Sequence, residues 1–171
     1  AGATGAKTST VTSGRNIVQA LDPTITTTSI STTSEHDAKV QAAIGDHFAE
    51  HLEQTRGQVD RIERSFASLG EKASAEQCPG IEGIIEEHDE FAKENDPSAE
   101  ICDLFLTGAG ARTEHYEIAA YSGLIVMARA LGEREVVNLL SESLREEKGA
   151  LKSLEGASRR LARERAKAAA G

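Results

Sequence analysis

Two glutamates stand where a helical core should carry apolar side chains, and they are the residues of this chain whose type and spacing could do chemistry. In Thr113-Glu-His-Tyr-Glu-Ile-Ala-Ala-Tyr121, a helix turning about 100° per residue puts Leu106, Thr113, Glu117, Ala120, Leu124 and Leu131 on one face. Glu117 then points inward. A second stripe, Val136, Leu140, Glu147, Leu151 and Leu154, has Glu147 in its middle. Buried carboxylates are costly, so two that face each other require a proton, a cation or a metal. On a third helix His51, Thr55 and Gln58 follow at helical spacing beside Leu52 and Val59, with Glu53 nearly opposite and toward solvent. Glu114 lies about 60° from the centre of its stripe.

Together His51, Glu114, Glu117 and Glu147 make a polar layer across three helices. Carboxylates and imidazole projecting into a bundle are how dinuclear iron and manganese sites are built, so iron or manganese is the cofactor this layer implies. The alternatives are pairing of Glu117 and Glu147 with Arg112, Lys148 or a tyrosine hydroxyl, or a place in a dimer interface. No Glu-x-x-His occurs in the chain, and His115 points away from Glu117. No nucleophile accompanies a histidine, which leaves open whether the protein is an enzyme.

The elements that must position this layer are helices. Ser34-Glu-His-Asp37 resembles a capping box and opens a helix to about Leu69, with Ile44, Phe48, Leu52, Thr55, Val59, Ile62 and Phe66 inward and Gly70 as its stop. Ile81 to Glu94 forms a short helix on Ile81, Ile84, Ile85 and Phe91. Asp96 as N-cap and Pro97 at the first helical position start a third long helix, which Gly132 ends after Leu131. The last runs from Glu133 to about Ala168. Its basic end, Arg159 to Lys167, suits a helix C-terminus and reads as a solvated end. Gly108-Ala-Gly110 reads as close helix packing, and Glu86 to Glu90 as a solvated face.

Residues 1–34 differ in kind: Thr and Ser fill 15 of these positions, and Lys7 and Arg15 against Asp22 make the segment +1 in a chain of net charge -9. It is either an extended arm, with Thr24 to Thr33 prone to strand, or a short packed helix over Arg15 to Leu21. The chain thus divides into this arm or remnant first helix and a helical domain over 35–171. Three long helices leave one side open, exposing flanks such as Phe48, Ile62 and Leu124; the cover is Ile17 to Leu21 of the same chain, the same segment of a partner or a partner's helices, with self-coverage the weakest because the arm has few apolar residues. A homo-oligomer follows.

Length and composition agree with this all-α reading. The 171 residues suffice for one core; aromatics are 4% and Trp is absent, which suits helix packing better than a stacking surface. The acidic balance argues against nucleic acid and anionic membranes as partners, and no run has the length of a spanning helix. A soluble protein is expected. Cys78 and Cys102 read as free thiols of a reducing, cytoplasmic compartment, with a bridge between them as the alternative.

Four stretches, His51-Leu-Glu-Gln-Thr-Arg-Gly-Gln58 with Val59 to Leu69, Cys78-Pro-Gly-Ile-Glu-Gly-Ile-Ile-Glu86, Glu114-His-Tyr-Glu-Ile-Ala-Ala-Tyr121 and Leu144-Arg-Glu-Glu-Lys148, occur in the order and spacing of a known family. Over about residues 44–157 the chain resembles the YciF-like family of small bacterial ferritin-like proteins. The resemblance implies a ferritin-like helical bundle, a short cross-helix carrying Cys78, dimerisation and a link to bacterial stress responses. Its members usually begin with an amphipathic helix carrying Tyr-x-Ala-Glu, whose glutamate is a candidate ligand. Here Ile17-Val-Gln-Ala-Leu21 stands instead with no Glu before it, and Gln54 stands where the family favours Glu. The first helix is therefore degenerate or replaced by the arm.

Overall fold

The computed structural model describes residues 35–170, with side chains described from 45 onward except at 47, 168 and 169. The arm, its Ile17 to Leu21 segment, the division at residue 34 and the Ile44 side chain all lie outside that description. Four helices and no strand make up the described residues: α1 (Glu35–Ser68), α2 (Pro79–Asn95), α3 (Ala99–Leu131) and α4 (Arg134–Ala170). They form an all-α bundle. At 1.5 Å per residue the three long helices run about 50 Å each.

Their stops are where the glycines stand. Gly132, at φ 79°, turns the chain left-handed, so that Glu133 N–H reaches Ala128 O at 2.9 Å and the orphan carbonyls of α3 are satisfied. Gly70 closes α1 in the same way. With two residues between them, α3 and α4 become an antiparallel hairpin. The start of α3 differs from expectation. Asp96 is the left-handed cap that ends α2, at φ 41°, and Ser98 is the N-cap, its carbonyl accepting from Ile101 and Cys102 N–H at 3.0 and 2.9 Å. Pro97 disfavours a right-handed helical Asp96, and Asp tolerates the left-handed region, so the residue closes one helix instead of opening the next.

Helix α1 runs parallel to α3, and α4 runs against both. Phe48, Leu104, Ala157 and Leu161 pack at one end, while Ile62, Tyr121, Ile125, Ala128, Val136 and Leu140 pack at the other. The polar layer sits between these two apolar clusters. Gly110 lets α3 and α4 approach beside it, since a Cβ there would lie 3.1 Å from Leu154 Cδ1; Gly108 meets nothing and has no such role.

The inward face of α3 is rotated from the expected stripe. Thr107, Glu114, Glu117, Tyr121, Ile125 and Ala128 are buried, whereas Leu131 is 77% exposed and Leu106 half-buried. Apolar or small residues occur all round α3, so periodicity alone does not choose its face. Ile62 is buried and Phe48 and Leu124 are half-buried, so these are not the open flank. Among the described residues the large exposed apolar side chains lie mostly on α3, at Ile101, Tyr116, Val126, Met127 and Leu131, with Leu69 just past the end of α1.

Candidate metal centre

His51 comes from α1, Glu114 and Glu117 from α3, and Glu147 from α4, and none is more than 3% exposed. The helix registers set by the two apolar clusters bring them to one level. His51 Nε2 lies 3.1 Å from Glu114 Oε1 and 3.7 Å from Glu147 Oε2, and one donor atom from each of the three lies within 4.8 Å of the others. Glu114, expected at the edge of its stripe, is thus the carboxylate nearest the imidazole. Glu117 lies outside that three-donor group, but its charge reaches His51, Tyr121 and Glu147.

The electrostatics are those of a site crowded with negative charge and shielded from water. Burial first, then the adjacent Glu114 carboxyl and the charges of Glu117 and Glu114, push the Glu147 carboxyl up to about 11. Burial alone would lower His51, but the contact and charge of Glu114, aided by Gln54 and Glu117, outweigh it and the net shift is upward. Burial and the charges of Glu117 and Glu147 push the Tyr121 phenol far up, so it stays protonated. Without a metal, the Glu147 carboxyl keeps its proton at neutral pH. Glu114 Oε2 and both Glu147 oxygens lack a geometrically formed hydrogen bond among the described residues. Buried oxygens in that condition match the demand of a dication that accepts oxygen and imidazole donors, as iron and manganese do.

The surrounding shell is better satisfied. Thr55 Oγ1 donates to His51 O at 2.9 Å. Tyr121 OH donates to Gln58 Oε1 at 3.4 Å, and Gln58 Nε2 donates to Glu146 Oε2 at 3.3 Å. Buried Arg61 then clamps α1 to α4, donating Nε to Ser143 Oγ at 2.9 Å and pairing with Glu146 and Glu142. Arg61, Ser143 and Glu146 are absent from the polar layer read from sequence. The signal was there: Arg61 continues the inward spacing of His51, Thr55 and Gln58, but an arginine beside Ile62 reads as a solvated flank. The expected cationic partners of the glutamates do not enter the site. Arg112 bonds Glu87 at 2.8 Å on the surface, and Lys148 is exposed.

A bridge between the cysteines is ruled out. Cys78 Sγ donates to Tyr116 OH at 3.5 Å, whereas Cys102 sits about 21 Å back along the helix that carries Tyr116, far beyond disulfide reach. Both are free thiols. Among the described residues no helix is long and apolar enough to cross a membrane.

Comparison with known proteins places the architecture. The family described as a domain of unknown function, DUF892, matches residues 24–167. Protein YciF of Escherichia coli K12 is 40% identical over 102 residues, 59% of this chain and 61% of that protein. The match thus spans about three fifths of this relative's length. The crystal structure of the E. coli stress protein YciF superposes with a TM-score of 0.75 at 30% identity over 91% of each chain. YcfI of Rhodopseudomonas palustris, described as a candidate structural protein, superposes with a TM-score of 0.70 at 33% identity, over 84% of this chain and 83% of its own. With most of its length inside one family and its helices in the YciF arrangement, the chain belongs to the DUF892 family of YciF-like proteins.

Proposed function

We propose that this protein is a ferritin-like, stress-associated bundle whose buried His51, Glu114 and Glu147 hold a divalent metal ion of the iron or manganese class. One observation carries the reading: three donors from three helices converge, almost wholly buried, around carboxylate oxygens with no formed hydrogen bond. The described donors suffice for one ion, and a dinuclear centre would draw on Glu117 as well. A bound ion of this class supplies positive charge and one-electron chemistry. The chain's own part is to exclude water, to hold the Tyr121 proton in place, and to fix α1 against α4 through Arg61. The stress role is carried over from the E. coli relative, and free thiols suit a reducing cytoplasm. The test is metal analysis of protein purified without chelator, with His51→Ala beside it. Stoichiometric iron or manganese in the parent and its loss in the variant support the reading; trace metal in both rejects it.

A structural or assembly role is the second reading, and the outer face of α3 favours it. Tyr116, Ala119, Gly123, Val126, Met127 and Ala130 are exposed, share one side of the helix and include no charge. Helix α2 covers the first half of that side, with Phe91 stacked on Phe105 at 4.0 Å. The second half suits another copy of the chain, because an uncharged strip is where two chains of net charge -9 approach with least repulsion. The two roles are compatible in one homo-oligomer.

A further inference from the structure

We propose that Gln54 is the positioning residue that makes His51 a metal donor through Nε2, an inference that rests on the metal reading above. Nε2 is the nitrogen facing Glu114 and Glu147, while Nδ1 lies 3.3 Å from Gln54 Oε1, one helical turn along α1. A neutral imidazole carries a single proton, so Nε2 offers a lone pair only when that proton is on Nδ1. Gln54 Oε1 accepts the Nδ1–H bond and fixes the ring in that form, as the outer partners of metal-binding histidines do. Gln54 is half-buried and three residues from His51, so helix geometry alone brings the pair together.

The experiment measures Co2+ affinity and the Co2+ absorption spectrum of the full chain and of Gln54→Met and Gln54→Glu, with the metal-free melt of each as a folding control. Gln54→Met should weaken binding roughly 10- to 100-fold and alter the spectrum, whereas Gln54→Glu, which keeps the acceptor, should bind near the parent level. In the Zn2+-loaded parent, 15N spectra should show a protonated Nδ1 and a metal-bound Nε2. Parent-like affinity and spectrum in Gln54→Met, an equal loss in Gln54→Glu, or a metal-bound Nδ1 would each overturn the proposal. Failure of the metal reading itself looks different: the unmutated chain takes up no Co2+, and the proposal falls with it.

Discussion

Replacing Glu147 by Gln removes one ionisable carboxyl from the buried layer and keeps its shape, and the size of the effect depends on pH in a calculable way. The folded-state value is raised from 4.5 to about 11, so the unfolded chain ionises at a pH where the folded chain still holds the proton. An acid shifted upward contributes stability that is fully present below 4.5 and is lost as pH rises toward its folded value. The loss is about 1.4 kcal/mol per pH step, hence about 3 kcal/mol by neutral pH. That figure requires only that the folded value lie above neutrality, so it does not depend on where the upper limit falls.

Metal-free Glu147→Gln should therefore be more stable than the metal-free parent by about 3 kcal/mol at neutral pH, with the advantage shrinking toward pH 4.5. His51, also raised, makes the metal-free parent less stable as pH rises from 6.5 through its folded value, in the same direction. Urea denaturation of both proteins across this range, in chelator, gives the difference curve. Added Mn2+ or Fe2+ should then reverse the order, because only the parent keeps all three donors and gains the linked binding energy. A metal-free difference that stays flat with pH would refute the reasoning, since it would mean that Glu147 is ionised and compensated in the folded chain.

Two other substitutions probe what surrounds the layer. Arg61→Met leaves Glu146 without its cation between α1 and α4 and should cost about 2 to 4 kcal/mol in a thermal or urea melt, whether or not metal is present. Val126→Glu together with Met127→Glu puts charge on the outer face of α3, at side chains 64% and 49% exposed. Light scattering should show the smaller species for this double variant while its helicity is retained, and an unchanged mass would remove this face as the contact between copies.

Much of the fold was legible because its signals are local. Gly70 and Gly132 end helices by backbone geometry that few other residues adopt, and the Glu147 stripe stands out in the sequence because α4 has a sharply polar opposite face. The layer of His51, Glu114, Glu117 and Glu147 was visible as polar residues breaking apolar periodicity. What failed depends on which neighbour each face meets. Two helices contact α3 along different arcs, so its stripe turned toward Glu114 and Tyr121 and away from Leu106 and Leu131. Asp96 carried two compatible local roles, and only the crossing from α2 to α3 chooses between them. Arg61 is buried only because Ser143 and Glu146 of α4 face it, and that pairing across 82 residues or more leaves no local mark on α1.

Among the described helices α4 packs extensively on α3 and well on α1, whereas α1 and α3 meet at few points. Those points are largely the site and its shell: His51 against Glu114, Gln58 against Tyr121, and Ile62 in the apolar cluster with Tyr121 and Ile125. In the metal-free chain the first of these contacts sets an imidazole 3.1 Å from a carboxylate oxygen with no metal between them. A metal held by His51 and Glu114 would join the two helices directly, and by linkage the gain belongs to openings that separate α1 from the α3–α4 hairpin. Hydrogen exchange should therefore slow most on α1 when Mn2+ or Fe2+ is added, with less change at the Gly132 end of the hairpin, where packing between α3 and α4 already limits opening. Uniform slowing over all helices would mean that α1 opens only with the whole bundle, and no slowing at all would mean that the layer holds no metal.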